Sequence, residues 1–317
     1  MADEVGRSTL SEGAARQLAN ATKTHAHWAG ISPRWLVNFL AWTPVEAGIF
    51  RLNRVKEQDG DAADVECSPP RDRNPDLPET FVDYDPSPRE YFLKAVTTVL
   101  DVQTRVSDLY GQPFDQVQEQ LRLLIEKVKE RQEGELINNG EYGLLASALP
   151  SQRIKTRTGP PTPDDLDELL TKVWKEPTFF LAHPRTIAAF GRECTRRGVP
   201  PPTVTLFGAS FITWRGIPLV PSDKVRIEAG KKGVESSKIL LIRTGEKKQG
   251  VVGLFQPGVP GEVAPSLSVR FMGIDRKAIA SYLISLYCSL AVLTEDALAV
   301  LEDVEIGRYP DYTHEYA

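Results

Sequence analysis

The chain contains few of the residues that build disulfide frameworks, metal sites and acid–base catalytic centres. Its 317 residues include three cysteines and four histidines. The cysteines, Cys67, Cys194 and Cys288, are far apart and odd in number, and none belongs to a Cys-x-x-Cys pair. A disulfide framework and a zinc site are therefore not indicated, and a reducing compartment, the cytoplasm, is expected.

The sequence also lacks a block of positive charge and an apolar run of membrane-spanning length. Its 43 acidic and 38 basic residues are interleaved and give a formal net charge of -5, so no nucleic acid partner is expected. The N-terminus is acidic and polar, unlike a signal peptide. The longest apolar stretch, Ala278–Leu293, is short for a bilayer span and contains two tyrosines and three serines. We expect no membrane span.

The first 50 residues change abruptly in character. Residues 1–30 are mostly small and polar with a weak helical signal at 11–21, which is typical of an extended arm. Residues 31–50, by contrast, bring Trp35, Phe39 and Trp42 together in a short stretch. Such a segment has to cover an apolar surface, and another subunit is one possible source of it.

Two segments alternate apolar and polar residues with the period of half-buried strands, and we predict that they pair. They are Ile49–Val55 and Thr80–Tyr84. The residues between them are rich in proline, glycine and charge and offer little to pack. The pair is therefore predicted to project as a long hairpin with a mobile tip, held by a neighbour.

Three helices and several strands are predicted in the remainder, giving a mixed α and β structure. A long amphipathic helix is indicated over Phe114–Ile137 by apolar residues three and four apart. A second helix begins after Thr162, which precedes a proline and two aspartates. The pattern favours a third helix over Arg185–Arg196 and short strands at 178–182, 210–214, 217–220, 239–243 and 250–255.

The candidate catalytic and phosphate-binding motifs are incomplete. Gly208, Ala209 and Ser210 resemble the start of a nucleophile elbow, but Ile212 occupies the position of the final glycine. The glycine-rich segment Gly250–Gly261 lacks the lysine and hydroxyl of a phosphate-binding loop. His183 is a catalytic candidate, although a single histidine at a strand end is more typical of hydrogen-bonded structure.

The candidate metal ligands are equally isolated. His25 and His27 have a spacing that suits a metal ion, but no further ligand lies close to them in the sequence. Asp59, Asp61 and Asp64 resemble the start of a calcium loop without its remaining ligands or its terminal glutamate. We therefore predict no catalytic, cofactor or metal site, and the chain is not expected to be an enzyme.

Nine short blocks spread over nearly the whole chain carry a family resemblance. They are ARQLANATKT at Ala15, PRWL at Pro33, PVEAGI at Pro44, VDYDPSPREY at Val82, TRVSDLY at Thr104, PTPDDLDELLTKVWK at Pro161, FITWRGIPLVPSDKV at Phe211, GVVGLFQPG at Gly250 and LSVRFMG at Leu267. Together they resemble the family 2A encapsulins, the group that includes the mycobacterial major membrane protein I. Encapsulins share the α+β major capsid fold of the Hong Kong 97 phage, so the resemblance implies a shell subunit with that fold.

The resemblance also implies a division of the chain. Residues 1–44 would form the N-terminal arm and residues 45–98 the extended loop. Residues 99–184, completed by 276–317, would form the P domain, and residues 185–275 the A domain. The tryptophan-rich part of the arm and the long hairpin would then be buried by neighbouring subunits.

By the same resemblance, the turn after the third helix corresponds to the tip of the A domain at a five-fold pore. The pore-lining candidates are Arg196, Arg197, Gly198, Val199, Pro200, Pro201 and Pro202. The two arginines would favour the entry of anions, and the prolines would fix the bore. The alternative interpretation is a helix-ending turn whose arginines contact an adjacent subunit.

The family further implies an icosahedral homo-oligomer of 60 subunits around a cargo enzyme. The implied cargo is a cysteine desulfurase captured through a disordered targeting segment, with a role in sulfur metabolism or storage. Its pyridoxal phosphate would belong to the cargo, and the shell itself would hold no cofactor. The sequence does not locate the residues that dock the cargo.

Three other functions remain as alternatives. A phage-derived capsid protein without enzyme cargo would have the same fold, but it should have a basic inner surface, which the acidic balance of the chain disfavours. A membrane-associated antigen would need a span or an amphipathic anchor. A soluble hydrolase would depend on His183 or Ser210.

Overall fold

Helices and strands are interspersed through the part of the chain that the structure describes. The computed structural model describes residues 11–23, 31–53, 84–103, 115–229 and 233–309. The α-helices are α1 (Glu12–Lys23), α2 (Trp35–Phe39), α3 (Gln116–Asn138), α4 (Leu144–Ser147), α5 (Pro163–Lys172) and α6 (Pro184–Arg196). Short 3-10 helices cover Pro150–Gln152 and Glu295–Ala297.

The strands form two large mixed sheets and one small ribbon. They are β1 (Ala41–Pro44), β2 (Ile49–Leu52), β3 (Arg89–Phe92), β4 (Lys94–Gln103), β5 (Arg153–Lys155), β6 (Phe179–Ala182), β7 (Thr203–Leu206), β8 (Ala209–Trp214), β9 (Ile217–Pro221), β10 (Glu228–Ala229), β11 (Glu235–Ile242), β12 (Val251–Phe255), β13 (Glu262–Ala264), β14 (Leu267–Ile274), β15 (Ile279–Val292) and β16 (Leu298–Glu305). The first sheet has the order β1-β12-β15-β14-β13 with β4 also beside β15. The second has the order β5-β16-β11-β6-β9-β8-β7 with β10 beside β11, and β2 pairs with β3.

The apolar stretch near the C-terminus is the long strand β15 at the centre of the first sheet. It pairs in antiparallel register with β4 and with β14, so that Tyr282 lies opposite both Leu100 and Phe271. Most of its side chains are buried or half-buried, which explains its apolar composition. None of the helices in the described residues combines the length and the apolar character that a membrane crossing requires.

The predicted long helix is present as α3 and packs against this sheet. Asp115 caps it by accepting hydrogen bonds from the backbone N–H groups of Val117 and Gln118, at 3.0 and 3.1 Å. Its Val128 packs with Ile284 of β15 in a buried apolar cluster. The three- and four-residue spacing therefore identified the helix and its buried apolar residues, but not the burial of Glu130 and Glu133.

The helix predicted to begin after Thr162 is α5, and its cap is a reciprocal pair. The N–H of Asp165 donates to Thr162 Oγ1 at 3.2 Å, and the N–H of Thr162 donates to Asp165 Oδ2 at 2.9 Å. Leu166 and Leu169 are fully buried in a cluster with Phe190 of α6 and the second sheet. The second and third predicted helices are thus both confirmed.

The partner predicted for residues 49–52 was wrong, whereas residues 54–55 of the predicted strand lie outside the described residues. Strand β2 pairs with Arg89–Phe92, with Ile49 opposite Phe92 and Leu52 opposite Arg89. The reason is that β3 carries an anchor, because Tyr91 is buried and its hydroxyl donates to the Val292 carbonyl at 2.9 Å. Residues 80–83 and the tip at 56–78 lie outside the described residues.

The short strands predicted in the second half of the chain are confirmed as β6, β8, β9, β11 and β12, with ends that shift by a few residues. The apolar side chains of β6 and β11 are completely buried between layers. The boundaries predicted for the arm, extended loop, P domain and A domain stay a prediction.

Candidate assembly surface and arm-docking site

The predicted pore residues form one exposed turn after α6. The N–H of Gly198 donates to the Thr195 carbonyl at 3.0 Å, and the N–H of Val199 donates to the Cys194 carbonyl at 2.9 Å. Gly198 has a φ of 68°, the left-handed conformation that this helix ending requires. The turn leaves 49% of Val199 exposed.

The far end of this turn is fixed to the second sheet. The Pro202 carbonyl accepts hydrogen bonds from both the N–H and the hydroxyl of Thr213, at 2.7 and 3.1 Å. Pro200, Pro201 and Pro202 have no backbone N–H donors and a restricted φ. The turn is consequently held at both ends and stiff in between, as a fixed pore rim or a fixed contact would require.

Both arginines of the turn have acidic partners within the chain. Arg196 Nη2 lies 2.7 Å from Glu193 Oε2, and Arg197 Nη1 lies 2.8 Å from Asp164 Oδ2. Glu193 is nearly buried, whereas the arginine side chains remain about one-third exposed. The positive charge that the sequence places here is therefore partly neutralised, which sequence reasoning did not foresee.

The catalytic candidates occupy structural positions. His183 caps α6, and its Nδ1 accepts a hydrogen bond from the N–H of Arg185 at 3.1 Å. Burial, followed by the charge of Arg185, lowers the pKa of His183, which keeps the ring in the neutral form that accepts this bond. Ser210 lies in β8 opposite Thr205 of β7.

The cysteines described by the structure are free and buried. Burial raises the pKa of Cys194 to about 11 and that of Cys288 to about 12, so both are protonated thiols at neutral pH. Across the described ranges, no cluster of three or more His, Cys, Asp and Glu side chains is arranged to hold a metal ion. Cys67 and the candidate ligands His25, His27, Asp59, Asp61 and Asp64 lie outside those ranges.

The arm segment before and within α2 docks onto three glutamates of α3. These residues, Glu126, Glu130 and Glu133, are called the glutamate row below. The N–H of Ser32 donates to Glu130 Oε1 at 2.8 Å, and the N–H of Leu36 donates to Glu133 Oε1 at 3.2 Å. The glutamate row therefore satisfies backbone donors at the beginning of α2 that a short helix leaves unpaired.

Cations from the arm and from the turn after β9 complete this site. Arg34 Nη1 lies 2.6 Å from Glu126 Oε2, and Lys224 Nζ lies 3.0 Å from Glu130 Oε2. The Ser222 hydroxyl donates to Glu133 Oε1 at 3.2 Å. One helix thus joins the arm to the second sheet through a buried polar network.

The two ends of the glutamate row have opposite electrostatic environments. Burial raises the pKa of Glu133, against the hydrogen bonds from Leu36 and Ser222 that favour its charged form. Burial acts in the same direction on Glu126, but the hydrogen bond and charge of Arg34 outweigh it, and the pKa of Glu126 is lowered. Protonation of Glu133 in the folded protein therefore costs less free energy than protonation of Glu126.

The tryptophan-rich segment packs on this chain's own strands, where Trp35, Phe39 and Trp42 are half-buried. Its burial by a neighbouring subunit stays a prediction. Leu36 is completely buried, and the rings of Trp35 and Phe211 meet edge to face with centroids 5.1 Å apart. Phe39 lies 5.1 Å from Phe179. The aromatic residues correctly indicated that this segment covers an apolar surface, and strands of this chain provide such a surface.

A cavity of about 470 Å³ opens beside the docked arm. It is walled by apolar side chains of the arm and of the first sheet and bordered on one side by α3. The apolar walls include Val37, Trp42, Phe255, Leu267, Leu286 and Tyr287. Arg34, Asn38, Lys129 and Gln132 also line it, and no aspartate or glutamate of the described chain does. Because these residues come from distant parts of the chain, no local motif could have revealed the cavity.

Comparison with known proteins first defines the class. The capsid protein of a native GTA particle matches with a TM-score of 0.59 and 14% identity, over 90% of this chain and 98% of that chain. This match shows a shared capsid fold. This mixed α and β architecture is the major capsid fold of the Hong Kong 97 phage type. The fold class is therefore the capsid fold, and the predicted fold is confirmed.

The family follows from closer relatives. The SrpI-like type 2A encapsulin shell protein model matches residues 51–308. The type 2A encapsulin shell protein SrpI of Synechococcus elongatus is 65% identical over 314 residues, 99% of this chain and 100% of the relative. The cryo-EM structure of the holo-SrpI encapsulin complex from Synechococcus elongatus matches with a TM-score of 0.80 and 63% identity, over 96% of this chain and 99% of that chain.

The chain belongs to the type 2A encapsulin shell proteins. It is a structural subunit of a capsid-like icosahedral shell and not an enzyme. This confirms the predicted family and the prediction that the chain has no catalytic role of its own.

Proposed function

We propose that 60 copies of this chain enclose a cysteine desulfurase in the cytoplasm and confine its sulfur product. The observation that carries the proposal is the 65% identity with SrpI over 99% of the chain. A relative of this similarity was solved as a holo-encapsulin complex. In this proposal the pyridoxal phosphate and the chemistry belong to the cargo, and the shell contributes capture and selective passage.

The capture step uses a disordered targeting segment of the desulfurase. A segment of this kind loses conformational freedom on binding, so each copy binds weakly. Many identical sites on one shell compensate, because a cargo oligomer presents several segments at high effective concentration. The arrangement loads cargo without requiring a large interface on any single shell subunit.

The first experiment is production of the chain with and without a desulfurase from the same genome. Size-exclusion chromatography and electron microscopy should show uniform hollow particles from the chain alone, and desulfurase activity should travel with the particles after co-production. Empty particles in both preparations, with free desulfurase eluting later, would contradict the cargo assignment. Particles containing nucleic acid would favour the phage-derived capsid without enzyme cargo.

The passage step is assigned to the turn formed by residues 196–202 at a five-fold pore. Its support is a stiff, exposed conformation fixed at both ends by Gly198 and Pro202. Since Glu193 and Asp164 already pair with its arginines, we expect only a moderate preference for anions. Substitution of Arg196 and Arg197 by glutamate should slow the entry of an anionic dye into intact particles, whereas loss of particles by subunits that still fold would indicate a subunit contact.

A further inference from the structure

We infer that one edge of β4 pairs with an extended strand of a neighbouring copy of this chain in the shell. β4 is ten residues long and pairs with β15 on one side. In the part of the chain that the structure describes, no strand lies along its other edge, which is called the open edge below. The inference concerns how subunits join and does not depend on the proposed cargo.

The position of β14 shows which residues of β4 bond with β15. In an antiparallel pair of strands, hydrogen-bonded and non-hydrogen-bonded residue pairs alternate. Val269 of β14 lies opposite Ile284 of β15, but its N–H donates to the Gly261 carbonyl at 2.8 Å, away from β15. Ile284 therefore directs its backbone groups to the other side of β15, where Thr98 of β4 lies opposite it.

The residues on either side of Thr98 consequently direct their backbone N–H and carbonyl groups to the open edge. By the same alternation this set is Ala95, Thr97, Val99 and Asp101. All four residues are exposed, and their backbone groups have no hydrogen-bond partner among the described residues. The open edge thus presents a row of unpaired donors and acceptors about 20 Å long, at roughly 3.4 Å per residue.

The open edge has none of the features that keep strands from pairing. Soluble proteins protect long edges with proline, with bulges or with charged side chains along the edge. β4 contains no proline or glycine, and its ten residue pairs with β15 follow one another without a register shift. Its charged residues, Lys94 and Asp101, lie near its two ends. An uninterrupted edge of this kind is a template for a further strand.

The other sheet edges of the described chain are short or interrupted. The edges formed by β1, β2, β3, β5, β7, β10 and β13 have two to four residues each. β1 ends at Pro44, and β7 follows the prolines at 200–202. β14 continues beyond β13, but a bulge interrupts its register between Phe271 and Gly273. Among the described strands, β4 therefore carries the long edge that is left unprotected.

The partner that fits this edge is a second copy of the chain. The shell is a homo-oligomer, so each particle presents as many open edges as it has subunits. The chain itself is the component present in equal number, and a closed symmetric assembly repeats the same contact on every subunit. Edges left open on the particle surface would also promote aggregation of particles. Pairing between neighbouring subunits covers each edge and contributes to closure of the shell.

A polar groove beside the open edge defines the side chains that the added strand can carry. The groove has a volume of about 690 Å³ and lies between the first residues of β4 and the C-terminal end of α3. Its charged residues form two ion pairs, Lys94 with Glu141 at 2.6 Å and Arg131 with Glu135 at 2.5 Å. Because these charges are already paired, we expect uncharged polar side chains of the added strand on this face of the sheet.

Two threonines provide matched variants. Thr97 and Thr205 are both exposed, Thr97 on β4 and Thr205 on the four-residue edge strand β7. Thr205 also directs its N–H outward, because it lies three residues after Pro202, whose carbonyl bonds with β8. Proline at either position removes an N–H that makes no bond within the subunit, and its ring obstructs an added strand.

Thr97→Pro subunits should fold but fail to assemble, whereas Thr205→Pro subunits should form normal particles. Circular dichroism checks the fold, and size-exclusion chromatography with electron microscopy gives the yield of particles per amount of soluble chain. We expect this yield to fall at least tenfold in Thr97→Pro relative to Thr205→Pro. Normal particles of Thr97→Pro would overturn the inference.

An electron cryomicroscopy map of particles of the unmodified chain tests the same contact without any variant and decides the case if Thr97→Pro does not fold. The map should show backbone of a neighbouring subunit along β4, with carbonyl oxygens about 2.9 Å from the backbone nitrogens of Thr97 and Val99. An edge that is open to solvent, or covered by residues of its own subunit, would overturn the inference. A strand that appears only in particles co-produced with the desulfurase would also overturn it, because the partner would then be the cargo.

Discussion

Arg243, which is buried, and Asp296, which is half-buried, form an ion pair between the two large sheets. Arg243 Nη2 lies 2.6 Å from Asp296 Oδ1, and Nη1 lies 3.3 Å from Oδ2. The guanidinium, only 2% exposed, also donates to Thr294 Oγ1 at 2.7 Å. Arg243 follows β11 of the second sheet, and Asp296 follows β15 of the first. The hydrogen bond from Arg243 lowers the pKa of Asp296 despite partial burial, so the pair is fully charged at neutral pH.

Removing one partner of this pair should strongly destabilise the subunit. We expect Arg243→Met to cost about 1–3 kcal/mol, because Asp296 would lose its bidentate partner, while it stays 23% exposed and keeps Lys175 Nζ at 3.2 Å. Thermal unfolding followed by circular dichroism should show a clearly lower midpoint. Lys248→Met is the control, since its pair with Glu176 is exposed and should contribute less than about 1 kcal/mol. Similar midpoints for the two variants would contradict a structural role for the pair of Arg243 and Asp296.

The parts of the fold that sequence predicted best were those encoded by neighbouring residues. The beginning of α5 follows from Thr162 and Asp165, three positions apart, because both hydrogen bonds of the cap are local. The end of α6 follows in the same way from Gly198. Such signals do not depend on the rest of the chain and can be read without knowing the fold.

The parts that sequence missed depend on distant residues. Alternation predicted a strand at Ile49 but could not choose between 80–84 and Arg89–Phe92, because period and partner are separate properties. The aromatic residues of the arm indicated that it is buried, but they did not show against which surface. The glutamate row illustrates the same limit, since Glu133 reads as one more charge on an amphipathic helix until Leu36 is placed against it.

The cap of α5 offers a second prediction. Thr162→Ala removes the side chain that accepts the Asp165 N–H and should cost about 1–2 kcal/mol. Thr162→Ser keeps the acceptor and should recover most of the loss. Chemical denaturation of the soluble subunit, or the thermal midpoint of particles, provides the measurement. Thr171→Ala on the exposed side of the same helix should change the midpoint little, and an equal effect there would argue against the cap.

The contributions of Glu133 and Glu126 to the stability of the subunit should change with pH in opposite directions. Because the folded pKa of Glu133 is raised above 4.5, its contribution is fully present below that pH and is lost as the pH rises through the folded pKa. Glu133→Gln should therefore gain stability relative to the unmodified protein as the pH increases over this window. The pKa of Glu126 is lowered, so its contribution is present above pH 4.5 and is lost as the pH falls through the folded pKa.

Thermal midpoints measured at a series of pH values on Glu133→Gln and Glu126→Gln test this directly. The midpoint of Glu126→Gln should lie furthest below that of the unmodified protein near neutral pH and approach it in acid. The two difference curves should thus slope in opposite directions. Parallel curves would show that the two carboxylates experience the same environment, contrary to the contacts with Arg34 and Leu36.

Gly191 inside α6 and Gly198 in the turn that follows it form a matched pair of glycines. Gly198→Ala should cost roughly 1–2 kcal/mol, because φ is 68° there and the new Cβ is unfavourable in that conformation even though the space around it is open. Gly191 lies inside α6 with right-handed backbone and equally open surroundings, so Gly191→Ala should stabilise by about 0.5–1 kcal/mol. Denaturation midpoints that move in opposite directions would confirm both. A loss of stability in Gly191→Ala would mean that this position is covered in the assembled shell, which comparison of subunits with particles would resolve.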